Sequence, residues 1–173
     1  MAQVSSFPPL SGPRARVLIL GSMPGKASLE AQQYYAHPRN AFWSIIEAVL
    51  GIDRALPYAQ RCQRLVAHDI AVWDVLQSCY RPGSLDAHID PASIMANDFA
   101  AFFAGHPGIR RICFNGATAQ QVFKRHVLPS LPSDRLPEMI RLPSTSPAHA
   151  GMRLEQKIAR WAPCLDTTPG APV

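Results

Sequence analysis

The chain has 173 residues, 47% apolar and 17% charged, with a net charge of +5. That is enough length for one domain with a sizeable core, and the composition excludes a disordered chain. No apolar run is long enough to span a bilayer, and the opening MAQVSSFPPL has neither the basic nor the apolar region of a secretion signal, so the expectation is a cytoplasmic protein.

Residues 1–13 are rich in proline and serine and are expected to form a flexible arm ahead of a single domain over 14–165. The run Val17-Leu18-Ile19-Leu20 has the aliphatic, β-branched character of a buried strand spanning 16–20. It leads into Gly21-Ser22-Met23-Pro24-Gly25, a turn bracketed by glycines. Two tyrosines, Tyr34 and Tyr35, and then His37-Pro38-Arg39-Asn40 follow. From Ala41 to Leu50 apolar residues recur at helical spacing (Phe42, Ile45, Ile46, Val49), and Gly51 is a normal stop. A second helix is predicted from Pro57 to Ala67, with proline in its first turn. Ile70 to Leu76 reads as the second strand, and Gln77 to Asp86 as a long polar loop. A helix is expected from Pro91 to Phe103, a third strand from Ile109 to Phe114, and a helix from Ala117 to Val127. Met139 to Leu142 reads as the fourth strand, Pro143 to Gly151 as a polar loop, and Arg153 to Trp161 as the last helix. Residues 166–173 are expected to be a disordered tail.

Strands alternating with helices imply a parallel sheet covered on both faces. Each strand is followed by an unusual polar sequence: GSMPG, then WDVLQS, then NG around Asn115, then PSTSP. In open parallel sheets ligands bind beyond the carboxyl ends of the strands, so four such loops point to a site on that rim.

Two familiar motifs fail on inspection. Gly25-Lys26 suggests a phosphate-binding loop, but Gly21 is one residue too close and Ala27 replaces the metal-binding hydroxyl. Ser22 and His149 do not make a serine hydrolase, because no GxSxG elbow is present. The four cysteines, Cys62, Cys79, Cys113 and Cys164, contain no CxxC pair. Zinc, iron–sulfur and disulfide frameworks are therefore not expected, and buried free thiols are. No metal or cofactor is implied.

The rim residues admit two readings each. Asn40 is a good helix cap, and its amide also has the donor and acceptor needed to aim a water. Phe42 is a core residue at helical spacing or a stacking platform for a base. Tyr35 is loop packing or a pocket wall. Asp74, near the end of strand two, either bonds to the loop backbone or touches a ligand. Pro143, Ser144, Thr145, Ser146 and His149 satisfy a turn or grip phosphates, and Lys26 and Arg39 are further candidate phosphate contacts.

Taken in order, GSMPG, YYAHPRNAFW, WDVLQSC-x-RPGS-x-D, FNG and LPSTSPAHA resemble the uracil-DNA glycosylase superfamily, and within it most nearly the hypoxanthine-DNA glycosylase branch. The likeness runs from about Val17 to Trp161. It implies a three-layer α/β/α sandwich around a central, mainly parallel four-stranded sheet. It implies a monomeric, monofunctional enzyme that hydrolyses the N-glycosidic bond of a deaminated base in double-stranded DNA. Relatives carry a water-orienting Asp or Asn where this chain has Met23, or a Glu where it has Ser22. The hypoxanthine branch is thought to use the Asn of HPRN, here Asn40, leaving Ser22 as the second candidate. In a related mismatch-specific branch the phenylalanine of this stretch stacks on the base, which points to Phe42. Asp74 falls near an Asn that reads the base edge, and Met23, Tyr35 and Asn115 would complete the base pocket. The histidine of an HPS motif is absent, because Leu142 precedes Pro143-Ser144. Excision of uracil or mismatched thymine, and an inactive DNA- or nucleotide-binding module, remain as alternatives.

Overall fold

The computed structural model describes residues 3–169. In chain order its regular elements are β1 (Gln3–Ser5), β2 (Val17–Gly21), α1 (Lys26–Ala31), α2 (Phe42–Leu50), α3 (Tyr58–Ala67), β3 (Ile70–Asp74) and β4 (Leu76–Tyr80). There follow β5 (Met95–Ala96), α4 (Phe99–Gly105), β6 (Arg111–Asn115), α5 (Ala117–His126), β7 (Glu138–Leu142) and α6 (Leu154–Trp161). Four of the strands form a wholly parallel sheet in the order β3-β2-β6-β7, with Ile19 beside Val72 and Cys113.

Successive side chains of a strand point to opposite faces, and here both faces are covered. Leu18, Leu20, Trp73, Ile112 and Phe114 pack with Phe99 and Phe102 of α4 and Phe123 of α5. Val17, Ile19, Val72, Cys113 and Leu142 pack with Phe42, Ile45 and Ile46 of α2, Leu65 of α3 and Trp161 of α6. The α/β/α layering expected from the sequence is therefore present. The helix ends follow their local chemistry. Gly51 closes α2 at φ 71, its N–H bonded to the Glu47 carbonyl. Asp98 caps α4 through the Ala101 N–H.

Several sequence expectations are corrected. Gln77–Tyr80 is not loop: the chain leaves the parallel sheet at Val75 and runs on as β4, the centre of a second, antiparallel sheet in the order β1-β4-β5. Pairing from distant segments imposes a strand on a stretch too polar to be read as one. Its partner β1 comes from the residues expected to form a loose arm. Leu10 also bridges to Val72, and the Phe7 carbonyl accepts from the Trp73 indole at 3.0 Å. The helix expected over 91–103 begins only at Phe99, and α1 was absent from the sequence reading. Of the expected tail, Asp166 and Thr168 are held through their carbonyls by Arg111 and Arg110, and residues 170–173 lie outside the described residues.

Candidate active site

The four strands present their carboxyl ends to one rim, and a cleft of about 640 Å³ opens there. Its walls are the loops after β2, β3, β6 and β7, joined by Tyr35, His37 and Asn40 and by Ser84 to Ala87 from the loop after β4. The loops are tied to one another. Asn115 donates to Thr145 Oγ1 and accepts from the Thr145 N–H, both at 2.9 Å. The Ala41 N–H donates to the Thr145 carbonyl at 2.9 Å, joining the start of α2 to the last loop. Gly116, at φ 96, lets the third loop pass close to Ser144; a Cβ there would sit 3.1 Å from the serine Cβ.

Asn40 lies on the cleft wall, and its Oδ1 accepts from the Phe42 N–H at 2.9 Å. This bond closes a turn onto the first residue of α2; the cap position is Ala41, and no side chain caps the helix. The bond uses one lone pair of Oδ1 and leaves the amide NH₂ available. Ser22 is nearly buried and donates to Asp86 Oδ1 at 2.7 Å. Met23 and Asp74 line the cleft floor.

Phe42 does not reach the cleft. It is 0% exposed, and the ring of Tyr35 lies on it at 4.1 Å with an interplanar angle of 22°. The base-stacking position inferred for Phe42 is therefore covered, and Tyr35 is the aromatic ring at the surface of that stack. Tyr35 also holds a left-handed backbone at φ 56, an uncommon conformation for a bulky residue and one that gathers at functional sites.

The remaining candidates divide. Ser144, Ser146 and His149 line the cleft, with Lys26 at its mouth. The two serine hydroxyls accept from N–H groups of their own turn. Thr145 is buried and spent on Asn115, so both residues act as a strut between loops rather than as free ligand contacts. Pro143 stands off the cleft, its carbonyl accepting from the Trp161 indole at 2.9 Å. Arg39 is exposed outside the cleft.

Two residues that the sequence reading did not nominate bear on the cleft, Asp86 as a lining residue and Arg81 from the buried interior. Arg81 is almost fully buried; its guanidinium donates to the carbonyls of Pro24 and Gly83 and so pins the first loop to the loop after β4. Asp86 brings a carboxylate to Ser22 from 64 residues away. Both lie in the motif RPGSLD, whose mixture of glycine, proline and charge was visible, but whose destination was not.

The electrostatics of this floor are unusual. Asp74 is 3% exposed, and its Oδ2 has no hydrogen-bond partner among the described residues. Burial, reinforced by the negative charge of Asp86 and opposed by Arg81, pushes its carboxyl up to about 7. Burial also raises Asp86, against the Ser22 hydrogen bond and Arg81. The Tyr35 hydroxyl makes no hydrogen bond among the described residues; burial first and the charge of Asp74 second hold it well above the usual phenol range, opposed by the nearby Asn115 amide. Among the described residues no group of three or more His, Cys, Asp or Glu side chains is placed to hold a metal ion, and no helix is long and apolar enough to cross a membrane.

Residues 8–163 match the family model of the uracil DNA glycosylase superfamily. The chain belongs to that superfamily. Among curated relatives it is 35% identical over 111 residues to the hypoxanthine DNA glycosylase of Methanosarcina barkeri, covering 64% of this chain and 69% of that one. It is 36% identical over 114 residues to the hypoxanthine DNA glycosylase of Methanosarcina acetivorans, covering 65% and 71%. The solution structure of a putative uracil DNA glycosylase from Methanosarcina acetivorans superposes with a TM-score of 0.75 at 29% identity, over 95% of this chain and 100% of that one. The protein is a DNA glycosylase.

Proposed function

We propose that this glycosylase excises hypoxanthine from double-stranded DNA, as a monofunctional, monomeric, cytoplasmic enzyme of base repair. What supports the substrate is the 35–36% identity to two proteins named hypoxanthine DNA glycosylase. The target nucleotide leaves the stack, at a cost that is smallest for a poorly paired lesion, and enters the rim cleft. Tyr35 offers a ring face, and Met23 and Asp74 form the floor. Asn40 aims a water at C1′ through its free amide capacity, and Ser22 is the alternative in that role. The bond between C1′ and the base nitrogen breaks, and its electron pair leaves with the base. Water adds hydroxyl to C1′, and its remaining proton ends on the base. Positive charge on the sugar develops as in other glycoside hydrolysis. Lys26, His149 and the turn around Ser144 and Ser146 flank the mouth, where the phosphates of the extruded strand would pass.

The test is direct. Duplexes carrying hypoxanthine, uracil, xanthine or a T·G mismatch are incubated with the protein, and abasic sites are then cleaved with alkali. The expected result is fastest strand cleavage on hypoxanthine, with none before alkali. Faster release of uracil or thymine would move the protein to the mismatch-specific reading; binding with no base release would make it an inactive module.

A further inference from the structure

Two residues lining the cleft each carry a buried polar atom with no hydrogen-bond partner among the described residues, and Nη1 of the buried Arg81 is a third such atom nearby. A buried polar atom without a partner is costly, and a native structure keeps one only for a reason. Asp74 Oδ2 and the Tyr35 hydroxyl are both in this position, and both residues line the same cleft. They also meet over the same backbone point. A Cβ on Gly21 would fall 2.6 Å from Asp74 Oδ1 and 3.1 Å from the Tyr35 hydroxyl, so the glycine makes the space in which the two groups converge. The neighbouring stack of Phe42 fixes the Tyr35 ring, and Val75 and Leu76 anchor the first loop by donating their N–H groups to the carbonyls of Gly21 and Ser22.

We propose that Asp74 reads the extruded base as a neutral carboxylic acid, its O–H donating to the base carbonyl and its other oxygen accepting from the adjacent ring N–H, with the Tyr35 hydroxyl as the neighbouring contact. This rests on the reading of the cleft as a base-excision site. The substrate class it names is a base with a lactam edge, a ring N–H next to a carbonyl. Hypoxanthine has that edge, and adenine, its parent, does not. A carboxylate would accept from the N–H but would face the carbonyl oxygen with a second negative atom. The acid form matches both groups. It also offers a donor to the oxygen onto which negative charge spreads as the glycosidic bond breaks, while the carboxyl proton stays on Asp74.

The surroundings favour the acid form. The charged groups facing Asp74 are Asp86, which opposes ionisation, and Arg81, which promotes it; Tyr34 and Tyr35 are the other titratable neighbours. Arg81 gives Nε and Nη2 to the Gly83 and Pro24 carbonyls and keeps Nη1 without a partner among the described residues, but the carboxyl is shielded from solvent, and burial together with Asp86 outweighs the arginine. The arrangement parallels active sites in which an apolar surrounding keeps one carboxylic acid neutral so that it can donate a hydrogen bond.

The experiment is single-turnover excision of hypoxanthine from a duplex, with enzyme saturating, at pH 6 and pH 8. For a group titrating at about 7 the acid fraction falls about tenfold between these points, and the wild-type rate should fall with it. Asp74→Asn carries a fixed donor and acceptor in the same shape. Whatever its absolute rate, it should change less than about twofold over that range. Asp86→Asn removes the opposing charge and should shift the inflection to lower pH. Carboxyl ¹³C NMR of the free protein, comparing wild type with Asp74→Asn, reads the titration without any reaction. A wild-type rate that is flat or rises from pH 6 to pH 8, an unchanged inflection in Asp74→Asn, or an Asp74 resonance that titrates near 4 would each overturn the proposal. Absence of base release from every duplex would instead overturn the excision reading, and the NMR titration would still report on Asp74.

Discussion

Asn40 makes a structural bond, and under the proposed function it also aims the water. Its Oδ1 accepts from the Phe42 N–H in the turn just ahead of α2, and the residue lines the cleft with its NH₂ unpartnered among the described residues. The two roles differ in magnitude. Loss of that local hydrogen bond costs about 1 kcal/mol of stability, whereas loss of a preorganised transition-state contact costs about 10²–10³ in rate. Asn40→Ala is expected to melt slightly earlier and to lose at least about a hundredfold in single-turnover excision while still binding lesion DNA. Ser22 is engaged with Asp86 at 2.7 Å, and Ser22→Ala is expected to cost less than about tenfold. Should Asn40→Ala change only the melting temperature, or Ser22→Ala prove the more damaging, the water would sit at the first loop. The sequence named Asn40 because an amide in a loop before an apolar helix is legible in one dimension. It misplaced Phe42, because helical spacing says which residues are buried but not that Tyr35 folds back to cover one of them.

At the level of elements, the rim works because its loops are fastened across the strand ends. The Asn115–Thr145 pair is the clearest fastening, with two bonds at 2.9 Å between the loops after β6 and β7. Asn115→Ala would leave the Thr145 N–H and hydroxyl buried without these partners, at a cost of about 1–3 kcal/mol. Chemical denaturation is expected to show that loss, and hydrogen exchange should quicken at the Thr145 amide. Unchanged exchange there would mean that the last loop is held by the Ala41–Thr145 backbone bond alone. The four parallel strands were readable as short aliphatic runs between helical patterns. β4 was not, because its sequence, Leu-Gln-Ser-Cys-Tyr, gains strand character only from β1 and β5 on either side.

For the whole molecule, the buried carboxyl of Asp74 links stability to pH. Its folded value of about 7 lies above the ordinary 3.8, so between these pH values the native state keeps a proton that the unfolded chain has released. The favourable contribution is complete below 3.8 and is lost as pH rises through about 7. Asp74→Asn cannot undergo this loss. Relative to wild type it is expected to gain stability steadily from pH 4 to pH 8, by a few kcal/mol at the upper end, in thermal or urea unfolding at matched ionic strength. A difference between the two proteins that stays constant over that range would show that the carboxyl ionises normally in the fold.

Composition, hydrophobic periodicity and the order of short motifs determined the layered α/β architecture and the superfamily, and they pointed to the rim as the candidate site. These depend on local patterns: which residues avoid water, where glycine and proline break an element, and which polar residues follow a strand. The tertiary structure alone decided what those residues do to each other. It buried Phe42 under Tyr35, spent Asn115 on Thr145, delivered Asp86 to Ser22, and enclosed Asp74 with one oxygen unpartnered among the described residues. Each is a contact between segments distant in the chain or a consequence of solvent exclusion. Neither has a signature in a linear sequence, because desolvation and the partner of a polar group exist only once the chain has closed around them.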